Sequence, residues 1–165
     1  MRTSARKHFG DDGQVFVEIS FQFSNAVNPL WTGEKDDQIN LQNLTLPRIL
    51  INRTGLSHVS FAGSDLYESF MCRDDFENCD FTLANLSKCD MRASRFVKCK
   101  FRNANLQGAD FRMAELTGCE FSDANMTGTI FDDTITYKSL LNKLSDSQKR
   151  VICWAPHAGP EPPGG

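Results

Sequence analysis

The chain has 165 residues, 40% hydrophobic and 24% charged, which suits one buried core and excludes a disordered polyelectrolyte. Its net charge of −3 and pI near 5.6 exert no global pull on nucleic acid or anionic lipid. No apolar run approaches the ~20 residues of a membrane span, and the basic start Met1–His8 lacks the apolar stretch of a signal peptide.

In chain order, the first predicted element is a half-buried strand. Val15, Val17, Ile19, Phe21 and Phe23 alternate with Phe16, Glu18, Ser20 and Gln22. Asn28-Pro29 and Gly33 then separate residues 1–38 from the rest of the chain.

From Leu56 every fifth residue is Phe, Leu or Met, through Phe61, Leu66, Met71, Phe76 and onward to Phe131, sixteen positions without a slip. Two residues before each lies a smaller residue, with Asp74 the exception. A period of five fits neither a helix nor a flat strand. It fits a chain that turns a corner every five residues, with one large and one small residue inside and the rest outside. Four sides close a square, so one coil takes twenty residues. Sorted by side, Phe61, Phe81, Phe101 and Phe121 share one core ladder, and Leu66, Leu86, Leu106 and Met126 another. Like residues would stack coil on coil, ~4.8 Å apart. The phase runs back through Ile51, Leu46 and Leu41. There the smaller positions become Ile49, Leu44 and Ile39, so 39–53 reads as an irregular first coil with Pro47 at a corner. The N-terminal strand would cover that open end.

Beyond the repeat domain of 39–135, Tyr137, Leu140, Leu141, Leu144, Val151 and Ile152 fall at helical spacing. Thr134 or Thr136 is the candidate N-cap, and Ser145-Asp146 a break into two helices. The reading is a capping helix over 136–152, whose apolar face could also support a weak homodimer. Residues 153–165 read as a disordered Pro/Gly-rich tail.

Units such as Ala84-Asn-Leu-Ser-Lys88, Ala104-Asn-Leu-Gln-Gly108, Ala109-Asp-Phe-Arg-Met113 and Ala124-Asn-Met-Thr-Gly128 resemble the A(D/N)LXX repeat of the pentapeptide-repeat family. The resemblance implies an all-β solenoid, a right-handed quadrilateral β-helix, here of about four regular coils with an N-terminal strand cap and a C-terminal α-helical cap. It implies less about function. Members range from DNA-mimicking gyrase protectors to secreted effectors to proteins of unknown role.

The chemistry-bearing residues give no catalytic constellation. Cys79, Cys99 and Cys119 stack on one side, but a ladder points its thiols in parallel, whereas a tetrahedral metal needs ligands that converge. With Cys89 they occupy the small inner position and read as packed, reduced thiols. Cys72 and Cys153 lie outside the pattern and are the candidates for reactivity. His8, His58 and His157 are scattered. No cofactor and no metal is expected. Asp74, between Thr54 and Ser94 on neighbouring coils, reads as one rung of a satisfied polar ladder.

Surface charge alternates by coil. Residues 95–114 carry Arg95, Lys98, Lys100, Arg102 and Arg112 against Asp110, a net of +4, and residues 115–134 carry Glu115, Glu120, Asp123, Asp132 and Asp133, a net of −5. The columns Asp75–Arg95–Glu115 and Asp80–Lys100–Glu120 read as ion-pair ladders. Such interrupted columns differ from the long negative rod of a DNA mimic, and the neighbouring acids argue against direct nucleic-acid binding. Arg92, Arg112, Lys98, Arg102 and Tyr67 are the candidate interaction surface. The expectation is a non-enzymatic bacterial, cytoplasmic scaffold that binds an unknown protein partner, with protection of a topoisomerase such as gyrase, or delivery as a secreted effector, as alternatives.

Overall fold

The computed structural model describes residues 2–9, 15–22, 41–52, 54–132 and 140–155. Between residues 41 and 132 the chain winds as a β-solenoid of about five turns. The bridges between coils join residues twenty apart, as in the column Thr45, Asp65, Asn85, Asn105 and Asn125. Strands are short because each side of the square holds one unit. They are β3 (Leu50–Asn52), β4 (Gly55–Ser57), β5 (Phe70–Cys72), β6 (Asp75–Glu77), β7 (Arg95–Val97), β8 (Glu115–Thr117) and β9 (Ile130–Asp132). Strands β4, β6, β7 and β8 form one parallel sheet.

Each corner is made by the last residue of a unit, and that residue is left-handed. Gly63, Gly108, Gly118 and Gly128 serve at four corners, with φ of 67–71°. Non-glycine residues serve at others, Leu83 at φ 61° and Asn103 at φ 54° among them. Left-handed backbone costs an L-residue roughly 1–2 kcal/mol. Inter-coil bonds from the corner amides offset it, for example Leu83 N–H to Arg102 O at 3.0 Å and Asn103 N–H to Ser122 O at 2.9 Å. At Gly63 a Cβ would lie 2.3 Å from Asn43 Oδ1, so any side chain there would displace the Asn43 amide.

The interior is filled by four columns. Phe61, Phe81, Phe101 and Phe121 stack with ring centroids 5.0, 5.1 and 5.0 Å apart. Phe76 and Phe96 stack at 4.9 Å on the adjoining side and meet Phe81 edge-on. Leu66, Leu86 and Leu106 are fully buried and Met126 nearly so. The fourth column is Ile51, Met71, Met91, Phe111 and Phe131, all buried.

The small inner residues do more than fill space. At seven of these positions a hydroxyl or thiol donates to the carbonyl 23 residues earlier, while Ser69 Oγ accepts from Ile49 N–H at 3.1 Å. Cys79 reaches Leu56 O, Cys89 Leu66 O, Ser94 Met71 O, Cys99 Phe76 O, Cys119 Phe96 O and Thr129 Leu106 O. Ser64 does the same to Leu41 O. Composition alone presents these cysteines as small hydrophobes. The repeated geometry makes them inter-coil hydrogen-bond donors as well.

The first coil departs from the expected irregularity. Its amides keep the register of the others, with Leu41 N–H to Ser60 O and Leu46 N–H to Asp65 O at 2.8 and 2.7 Å. Ile49 is fully buried, so the large residue is accommodated at the end of the stack, while Leu44 remains 41% exposed. The N-terminal segment forms a hairpin of β1 (Arg2–Phe9) and β2 (Val15–Gln22), in register Arg6↔Glu18. β1 was not legible, because its residues lack apolar alternation. β2 joins β3 in parallel at Glu18↔Leu50. Asn28, Pro29 and Gly33 lie outside the described residues.

The C-terminal end is closed by a short element in place of one long helix. Residues 140–141 are helical, and α1 (Asp146–Val151) follows. Ser145 is its N-cap in a capping box with Gln148. Leu140, Leu144 and Ile152 are buried over the last coil, but Val151 is 40% exposed. Gln148, spaced like Leu144 along the inward stripe, takes the buried place: its Nε2 donates to Phe121 O at 2.7 Å and Ala124 O at 3.1 Å. Ala104 O receives Asn125 N–H from the next coil, but Ala124 O has no further coil to receive from, and a side-chain amide satisfies it where Val could not. Residues 153–155, expected in the tail, instead form β10 (Cys153–Ala155), parallel to β9. Trp154 packs on Phe131 at 5.7 Å, which supplies the apolar contact that ends the column. Thr134, Thr136, Tyr137 and residues 156–165 lie outside the described residues.

Candidate interaction face

One side of the coil is continuous from end to end. Leu50 pairs with Phe70, Phe70 with Asp90, Asp90 with Asp110, and Asp110 with Ile130. The hairpin β1–β2 extends this side at one end and β10 at the other. Its outer surface begins with two adjacent apolar side chains, Leu50 at 54% and Phe70 at 50% exposure.

Above them lies a charge network. Arg92 Nε and Nη2 donate to Asp90 Oδ1 and Oδ2 at 2.8 and 2.7 Å. Arg112 does the same to Asp110, at 3.0 and 2.6 Å. Arg92 Nε also lies 3.9 Å from Asp110 Oδ2. Arg follows Asp by two positions in each unit, with one inward residue between them, so both project on the same side. The Arg92 guanidinium holds the Asp90 carboxyl down to about 2. Cys72, in the column of Arg92 and Arg112, is partly buried with its thiol on Asp90 O at 3.5 Å. Burial and then Asp90 push that thiol up to about 11.

The other candidate residues are dispersed. Arg102, on the Phe101 side, is paired to Glu120 at 2.6 Å. Tyr67, on the Leu66 side, accepts from Lys88 Nζ at 3.0 Å, and Lys88 also faces Glu68 at 3.6 Å. Lys98 is an exposed corner residue. The surface of five residues is therefore not one patch: only Arg92 and Arg112 come together. The ion-pair ladders are also shorter than expected. Arg95 reaches Glu115 at 3.4 Å but not Asp75, and Glu120 is taken by Arg102, so Lys100 makes no ion pair among the described residues. The Arg102 guanidinium holds the Glu120 carboxylate through a short charge-assisted bond from Nε.

A second ladder went unread in the sequence. Asn85 Nδ2 donates to Asp65 Oδ1 at 2.8 Å, Asn105 to Asn85 at 3.2 Å, and Asn125 to Asn105 at 3.1 Å. The recurrence of Asn at 85, 105 and 125, after Asp65, was its signal.

Among the described residues no cluster of three or more His, Cys, Asp or Glu forms a metal-ligand set. No helix there is long and apolar enough to cross a membrane. His58 Nδ1 lies 2.7 Å from its neighbour Ser57 Oγ, on the outer surface. Asp74 departs from the expected satisfied ladder. Its Oδ1 accepts from Thr54 N–H at 2.8 Å and its own N–H donates to Ser94 Oγ at 3.0 Å. Its Oδ2 is buried without a partner.

The family model for pentapeptide repeats matches residues 54–96 and 94–133, with eight copies. No curated protein matches the chain in sequence. Among solved structures the chain is similar to HetL, a pentapeptide repeat protein involved in heterocyst differentiation regulation from Nostoc sp. strain PCC 7120. Identity is 20% and the TM-score 0.53, over 57% of this chain and 45% of HetL. It is also similar to a pentapeptide repeat protein of the Arabidopsis thaliana thylakoid lumen, at 21% identity and TM-score 0.49 over 68% of this chain and 69% of that one. The plasmid-mediated fluoroquinolone resistance protein QnrB1 aligns at 13% identity and TM-score 0.32 over 73% of this chain and 80% of that one. This chain thus spans less than half of HetL, and that likeness shows the fold alone. The twenty-residue coil, the A(D/N)LXX units and the matching model together place the chain in the pentapeptide-repeat family.

Proposed function

We propose that the chain is a non-catalytic scaffold that binds a protein partner on the face bearing Leu50, Phe70, Arg92 and Arg112. The observation that supports this is the pairing of two exposed apolar side chains with two carboxylate-held guanidinium groups on one continuous sheet. Apolar and Arg side chains on a rigid surface are the composition of protein interfaces. The arginines are already positioned by Asp90 and Asp110, so little side-chain freedom is lost on docking. A DNA-mimicking role is less well supported: residues 95–114 carry a net of +4, which breaks any acidic column.

The test is affinity capture from native lysate with three baits: the unaltered chain, Phe70→Asp, and Leu83→Asp on another side. A partner retained by the unaltered chain and Leu83→Asp, and lost by Phe70→Asp, is the expected result. Retention of the same partner by Phe70→Asp, or its loss with Leu83→Asp alone, contradicts the reading.

A further inference from the structure

We infer that Asp74 carries a proton in the native fold, that this proton bonds the second coil to the Ile51 carbonyl of the first, and that its loss loosens the first coil.

Register identifies the acceptor. At seven inner positions a hydroxyl or thiol donates to the carbonyl 23 residues earlier. Asp74 occupies the same inner position, one coil before Ser94 and one after Thr54. Counting back 23 residues from Asp74 gives Ile51. An ionised carboxylate has only acceptors, and would set a negative oxygen against a carbonyl oxygen. A protonated carboxyl has one donor and one acceptor. Its Oδ1 would keep the observed bond from Thr54 N–H at 2.8 Å, and Oδ2–H would donate as Ser94 Oγ–H does to Met71 O at 2.6 Å. The one buried side-chain oxygen without a partner, among the described residues, is the Oδ2 that this proton would occupy.

The surroundings favour the neutral form. Asp74 is 2% exposed. Its inner neighbours Ile51, Leu56, Met71, Phe76 and Met91 are apolar and buried. Thr54 below and Ser94 above are uncharged. The next residue, Asp75, adds a like charge, and Arg73 precedes Asp74 at an outer corner. Arg95, from the coil above, stands opposite Asp75 and is held by Glu115 at 3.4 Å. From the coil below, Gly55 stands opposite Asp75. Arg53 lies outside the described residues. Burial, against the Thr54 bond and with a smaller push from Asp75, raises the Asp74 carboxyl to about 7.

The folded group therefore holds its proton to higher pH than the unfolded one, at ~3.9. The seam is fully stabilised below about pH 4 and weakens as pH rises towards 7. The bonds at stake join the first two coils: Leu41 N–H to Ser60 O, Asn43 N–H to Ala62 O, Leu46 N–H to Asp65 O and Arg48 N–H to Tyr67 O.

Two measurements on the full chain test this. Carboxyl carbon chemical shifts of the unaltered protein should show Asp74 titrating near neutrality. Protection factors of the Leu41, Asn43, Leu46 and Arg48 amides should fall about fiftyfold between pH 5 and pH 7, nearly tenfold over the first unit and less as Asp74 itself ionises. Asp74→Asn supplies a permanent donor and acceptor of the same shape, and its protection should stay level over that range. An Asp74 carboxyl titrating at or below pH 4, protection that does not change with pH, or a fall in Asp74→Asn equal to that of the unaltered chain would each overturn the inference. Should Asp74→Asn fail to fold, the carboxyl titration decides alone.

Discussion

A single phenyl ring in this protein touches its copies above and below before it touches anything else. Phe101 lies 5.1 Å from Phe81 and 5.0 Å from Phe121, with Phe96 and Phe111 edge-on. Phe101→Ala opens a cavity between two rigid coils that cannot collapse without breaking inter-coil bonds. It should cost ~3–5 kcal/mol in urea unfolding; a loss under about 1 kcal/mol would mean that the column is not packed. Thiol reactivity is graded in the same local terms. Cys153 is exposed and Cys72 partly buried. With its thiol raised to about 11, Cys72 has little thiolate at neutral pH. The thiols of Cys79, Cys89, Cys99 and Cys119 are buried. Burial raises Cys89 to about 12, and Cys99 is pushed up by the Cys119 and Cys79 thiols and by burial. Titration of the native chain with a thiol reagent should therefore modify Cys153 rapidly, Cys72 slowly and the rest only on unfolding. The inner ladders were legible because size and period are written in residue identity. The donor role of the thiols was not, because it depends on a carbonyl 23 residues away.

At the scale of the element, the corner is the recurrent part. The coincidence of Gly63, Gly108, Gly118 and Gly128 in one phase of the five-residue period marks the left-handed site, although most corners use other residues. Leu83 is 66% exposed at φ 61°, so its side chain contributes little packing and its backbone is strained. Leu83→Asn copies Asn103 in the next coil. It should raise stability by ~0.5–1 kcal/mol, since Asn tolerates the left-handed region better; a loss of stability by denaturant titration would refute the strain argument. The C-terminal closure shows where pattern reading fails. A helical apolar stripe ranks Val151 above Gln148, but the end of a β-solenoid presents carbonyls as well as rings. Gln148→Ala removes the Gln148 bond to Ala124 O and leaves Phe121 O with the Ala124 N–H bond alone, and should cost ~1–3 kcal/mol. A neutral result would mean that water serves those carbonyls equally well.

For the whole molecule, pH acts on two carboxylates with opposite sign, the buried Asp74 and the exposed-face Asp90. Asp90, held down to about 2 by Arg92, adds stability that is present above ~4 and fades as pH falls towards 2. Asp90→Asn should flatten that acid limb of a thermal-denaturation profile, and an unchanged limb would show that the pair contributes nothing. The fold could be read from sequence because twenty-residue periodicity constrains every coil at once. The face could not, because pairing of Arg92 with Asp90, and of Arg102 with Glu120, depends on which carboxylate a flexible side chain reaches. The reading of the chain as a scaffold is tested most directly by site-specific photocrosslinking in the native cell extract. A photoreactive residue is placed in turn at 70, 112, 83 and 103, two positions on the proposed face and two on another. One partner adduct from positions 70 and 112, and none from 83 and 103, is expected of a scaffold that docks on this face; adducts from 83 and 103 with none from 70 and 112 would contradict it.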